Sequence, residues 1–155
     1  MKSVVKLGGL ASAILVIYFD VDLDPETGAR LMFIPEQRGF EYKAQPYACV
    51  KFDNGLDACT GGPPEARPVE RYGAIGLDRF TGWDENDKEI VVSSLGSPGR
   101  KASRKTPIQG KVVTTFLDYQ DLGARSGQTI RILARKACSL AQPESLFPEI
   151  LLTLN

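Results

Sequence analysis

Residues 47–60 spell out a hairpin whose register can be read directly from residue types. Tyr47-Ala48-Cys49-Val50-Lys51-Phe52 runs into Asp53-Asn54-Gly55 and returns as Leu56-Asp57-Ala58-Cys59-Thr60. A three-residue loop ending in glycine suits a type I turn followed by a left-handed bulge position. That loop pairs Phe52 with Leu56, Lys51 with Asp57, Val50 with Ala58 and Cys49 with Cys59. Apolar residues face apolar ones, a cation faces an anion, and two thiols meet. A slip of one residue destroys every match at once. The pattern predicts a Cys49–Cys59 disulfide and therefore an oxidising compartment.

What surrounds the hairpin narrows the chemistry. The chain has 155 residues, 43% of them hydrophobic and 25% charged, which suits one globular domain with a real core. It contains no histidine, so the commonest general base, the commonest metal ligand and the Ser-His and Cys-His pairs are missing. Three cysteines without histidine also argue against structural zinc. Cys138, the cysteine left over, is expected to pack as a small apolar residue. Zero net charge argues against nucleic acid as a partner. The charge is nevertheless uneven: residues 1–99 carry −5 and residues 100–155 carry +5. Such asymmetry can join two parts of a chain, or two copies head to tail, or reflect solubility alone.

The N-terminus is the second marked feature. Lys2 and Lys6 precede an apolar run over residues 7–19. The pattern is compatible with a signal sequence, although Asp20-Val21-Asp22 is a poor cleavage site. An anchor with membrane contact over residues 4–19 is a second reading. A buried or intersubunit strand is the third, because Ile14, Val16, Ile17, Tyr18 and Phe19 are strand formers. The expected organisation is an apolar arm over residues 1–19 ahead of a single β-rich domain over residues 20–155. From Phe19 to Asp24 acids and apolar residues alternate, as on a half-buried strand.

Proline and glycine punctuate the remainder at short intervals, the mark of many short strands. Strands are expected at 30–34, stopped by Pro35, and at 69–77, 80–83, 89–95, 111–119 and 148–154, with a basic loop over 96–106. Residues 129–142 carry helical period: Ile130, Leu133, Ala134, Ala137, Cys138 and Ala141 share one face, Ser126 can cap the start, and Pro143 stops it. A shorter strand through Ile130, Ile132 and Ala134 is the competing reading. The expected fold is mainly β, a sandwich or small barrel built from hairpins, with one C-terminal helix near 129–142.

No residue set singles out catalysis. Asp20, Asp22 and Asp24 have the spacing of a calcium loop, but glycine at the sixth position and glutamate at the twelfth are replaced by Pro25 and Leu31. An exposed strand face explains the spacing without metal. Asp84, Asn86 and Asp87 read as an acidic turn. Cys59 lacks a base, and Asp57 would raise its thiol pKa. Arg100, Lys101, Arg104 and Lys105 form a basic cluster suited to docking or phosphate contact, without interleaved aromatics for base stacking. Tyr47, Tyr72 and Trp83 are the natural aromatic contacts for a small ligand, or else core residues.

The chain is therefore expected to be a non-enzymatic structural, assembly or docking subunit of a larger complex, in a virion or a cell-envelope apparatus. It would contact copies of itself or other subunits through the N-terminal arm and the basic loop, at the extracytoplasmic face of a membrane or virion, with the cytoplasm as the alternative. No metal or cofactor is expected. The competing function is an extracytoplasmic β-domain binding a small ligand or glycan. A carboxylate enzyme needs only two acids, but no spacing here picks out a pair.

Overall fold

The structure is a computed structural model. It describes residues 2–6, 14–31, 34–59, 65–83, 89–93, 106–108, 112–137, 145–146 and 148–155. These residues form thirteen strands: β1 (Lys2–Lys6), β2 (Ile14–Asp20), β3 (Ala29–Leu31), β4 (Ile34–Phe40), β5 (Tyr42–Phe52), β6 (Asp57–Ala58), β7 (Pro68–Trp83), β8 (Glu89–Ser93), β9 (Thr106–Pro107), β10 (Val112–Phe116), β11 (Thr129–Ala137), β12 (Ser145–Leu146) and β13 (Ile150–Thr153). A 3-10 turn, Tyr119–Leu122, follows β10.

Nine strands form one antiparallel sheet, in the order β12-β11-β2-β5-β7-β8, with β13 beside β11, β6 beside β5 and β9 beside β7. β1 pairs with β10, and β3 with β4, as separate two-stranded ribbons. The architecture is thus mainly β and antiparallel, as composition and punctuation predicted. The apolar residues of β2 have a direct structural reason: β11 and β5 pair with its two edges, and a hydrophobic cluster covers each of its two faces. Ile17 and Phe19 point into a cluster with Tyr42, Ala44, Ile75, Leu77, Leu122 and Ile130. Val16 and Tyr18 point the other way, into a cluster with Ala29, Phe40, Phe80 and Leu133. Strand alternation divides the residues between the faces. Residues 14–19 of the expected arm therefore belong to an interior strand of the chain's own sheet. Among the described residues no helix is long and apolar enough to cross a membrane.

The C-terminal helix is not found; Thr129–Ala137 is strand β11. The apolar spacing that suggested helix arises because β11 also has both faces covered. Ile130, Ile132 and Ala134 meet the first cluster, while Leu133 meets the second between Arg131 and Arg135. Apolar residues three apart then come from opposite faces of one strand, not from one face of a helix. Their cations lie over aromatic rings, Arg131 over Phe40 at 4.7 Å and Arg135 over Tyr18 at 5.4 Å. Residues 138–142 of the expected helix lie outside the described residues.

Two further boundaries differ. Pro35 does not stop the chain but sits inside β4, which among the described residues pairs with β3 alone. A strand paired along one edge tolerates a missing N–H on the other. The expected strands at 69–77 and 80–83 are one continuous strand, β7, with a register irregularity against β8 between Phe80 and Gly82.

Candidate functional site

The hairpin forms in the expected register. Val50 pairs with Ala58 and Lys51 with Asp57, the Phe52 N–H donates to the Leu56 carbonyl at 2.8 Å, and Cys49 and Cys59 form a disulfide. Gly55 takes φ +83°, the left-handed position that the turn needs. Tyr72 is buried beside Cys49 and Ala74, with Tyr47 and Cys59 packed against them. Burial, and secondarily Asp78, pushes the Tyr47 hydroxyl pKa up. Of the three expected ligand aromatics, Tyr47 and Tyr72 are brought together as packing around the disulfide. Trp83 ends β7, a path of roughly 35 Å along the strand from Tyr72. Arg100, Lys101, Arg104 and Lys105, together with Asp84, Asn86 and Asp87, lie outside the described residues.

Titratable groups concentrate at the end of β2. The alternation over Phe19–Asp24 predicted three acids on one exposed face. Instead β2 ends at Asp20, the chain bends, and Leu23 takes φ +59°. Asp20, Asp22 and Glu41 each bring a carboxylate oxygen within 4.8 Å of the others. Asp20 is 1% exposed. It accepts from the Leu23 N–H at 2.6 Å and from Arg131 Nε at 2.8 Å. Arg131 stands directly opposite Asp20 in the β2–β11 ladder. Its guanidinium also donates to the Arg38 carbonyl and lies 3.7 Å from Glu149. Gly39 is needed for this approach: at φ +89°, an added Cβ would fall 2.7 Å from the Asp24 carbonyl and 3.1 Å from the Arg131 guanidinium.

Glu41 accepts from the Val21 N–H at 2.6 Å and from the Thr27 hydroxyl at 2.8 Å. Asp22 accepts from the Asp24 N–H and lies within reach of the same hydroxyl. Burial is the largest influence on both Asp20 and Glu41 and pushes their pKa values up. The backbone amides of Leu23 and Val21, with Arg131 and Thr27, pull the other way. Three carboxylates are the ligand type of a hard cation, yet each already has internal donors. The arrangement ties the end of β2, the loop after it, β4, the β4–β5 junction at Glu41 and β11 together. Sequence reasoning missed it because Arg131 and Glu41 are remote in the chain; the one local hint was the repeated aspartate.

The second notable feature is the edge of the large sheet at β13. Among the described residues β13 pairs only with β11. The Leu154 N–H donates to the Gln128 carbonyl, and the Leu154 carbonyl accepts from the Gly127 N–H. Antiparallel alternation then turns the backbone groups of Leu152 and Ile150 inward and those of Leu151 and Thr153 outward. Leu152 and Leu154 pack on the core, but Ile150 is 56% and Leu151 64% exposed. No charge or proline interrupts residues 150–154. Proteins ordinarily blunt such an edge with one or the other.

Comparison with family models, curated proteins and solved structures finds no match.

Proposed function

We propose that the protein is a non-enzymatic assembly module that docks to a neighbouring chain by strand addition at β13. One observation carries this reading: among the described residues the terminal strand of the nine-stranded sheet presents unpaired backbone groups beside exposed Ile150 and Leu151, with no charge in residues 150–154 to repel a partner. Main-chain hydrogen bonds supply affinity in such a contact, and alternate side chains supply register. The lack of histidine and the internal pairing of the carboxylates agree with a role in binding rather than catalysis. The disulfide is compatible with an extracytoplasmic setting, which suits a virion or cell-envelope apparatus.

The test is the size of the protein in a gentle extract of its native source, followed by antibody on gel filtration. The wild-type chain should elute well above its 16.9 kDa mass, and Leu151→Lys should elute as a monomer while keeping its disulfide and circular dichroism. Elution of the wild type as a monomer would overturn the proposal.

A further inference from the structure

Given the docking role of β13, we infer that the chain it receives is a second copy of itself, paired β13 to β13 about a two-fold axis. An antiparallel strand paired with its own copy is self-complementary, as a closed two-fold interface requires. The outward residues fix the register. Leu151 of each copy exchanges both backbone hydrogen bonds with Thr153 of the other, and the axis passes between the two Leu152 residues. On one face Leu151 lies against Thr153, and on the other Ile150 lies against Leu154. The two exposed apolar side chains are thereby covered without bringing any charge of β13 against its like.

The flanks of the strand are complementary in charge. In this register Glu149 of each copy comes opposite Asn155 of the other. The Gly127 N–H holds the Leu154 carbonyl, which sets the turn carrying exposed Arg125 at that same end. Arg125 of one copy can then add to the contact that Glu149 of the other makes with its own Arg131 at 3.7 Å. A sheet of nine strands becomes a continuous one through the interface. The strands are short, so the contact belongs with small interfaces and association depends on concentration.

The backbone parity supplies a clean test. Leu151 turns its N–H away from β11, so Leu151→Pro removes a donor from the interface and none from the β11 ladder. By symmetry the single change deletes two intermolecular hydrogen bonds. Sedimentation equilibrium of the full oxidised chain, from micromolar to millimolar concentration, should show a monomer–dimer equilibrium. Leu151→Pro should raise its dissociation constant at least about tenfold with unchanged circular dichroism. Should the proline variant not fold, Leu151→Lys and the concentration dependence of amide exchange at Leu151 and Thr153 in the wild type decide the matter. A wild type that stays monomeric, that builds open-ended ladders, or whose dimer survives both substitutions contradicts the two-fold pairing. A monomeric purified chain that still elutes as a large species from its native extract would overturn the self-pairing alone. A monomer in both settings would overturn the docking role as well.

Discussion

Replacing Arg131 with methionine should expose how much the fold relies on pairing a buried charge. Methionine keeps much of the aliphatic volume but no charge. Asp20, 1% exposed, would keep the Leu23 N–H and lose the guanidinium that lies 2.6 Å from its Oδ2. Removing one partner of a buried pair typically costs about 3–5 kcal/mol, because the other charge is left uncompensated. The lost stacking over Phe40, on the order of 1 kcal/mol, is largely offset by the contact of the methionine sulfur with the same ring. The Glu149 contact, longer and at the surface, adds little. The expected loss is thus about 3–5 kcal/mol, a large part of a typical domain stability of roughly 5–15 kcal/mol. For a chain of this size it corresponds to a fall in Tm of roughly 6–20 °C. Urea denaturation of the oxidised protein, followed by near- and far-ultraviolet circular dichroism, measures it. Asp20→Asn with Arg131→Met should lose less than the two single changes added together, because the double variant strands no charge. Acidification should also narrow the gap between wild type and Arg131→Met, since a proton on Asp20 relieves the unpaired charge. A loss below about 1 kcal/mol, or additive effects, would refute the argument.

Glu41→Gln addresses the half-buried acid of the cluster. Its folded pKa is raised by burial, so the native state binds the proton more tightly than the unfolded chain does. That contribution is fully present below the unfolded pKa and is lost as pH rises through the folded value. Thermal melts across mildly acidic pH should therefore slope less steeply downward with rising pH in the variant than in the wild type. Gly39→Ala should cost about 1–3 kcal/mol in the same urea assay, since φ is positive and backbone lies in the way. Reduction of Cys49–Cys59, with a sequence separation of 10, should cost about 2–3 kcal/mol by the loop-closure estimate. Thiol counting on the unreduced, denatured protein should find Cys138 alone.

The parts of the fold legible in the sequence are those written locally. The hairpin at 49–59 is fixed by neighbours in the chain, and its turn, register and disulfide follow from residue types. The strand character of 14–19 and 150–154 is also local, carried by β-branched and aromatic residues. β11 was misread because its neighbours are remote. With β2 on one side and β13 on the other, and clusters on both faces, its apolar spacing lost the period of two that marks a half-buried strand. The carboxylate cluster was hidden for the same reason. Asp20 and Arg131 are 111 residues apart, so nothing near Asp20 announces that it is buried and paired. The terminal strand was expected, but only the sheet order shows that it forms an edge.

The docking role requires the outer side of β13 to be covered when the protein is at work. Amide hydrogen exchange at Leu151 and Thr153, compared between the assembled and the dissociated protein, reads this residue by residue. Strong protection of these two amides on assembly, with those of Leu152 and Leu154 protected in both states, is the expected result. Exchange at Leu151 and Thr153 that is equally fast in both states would contradict it.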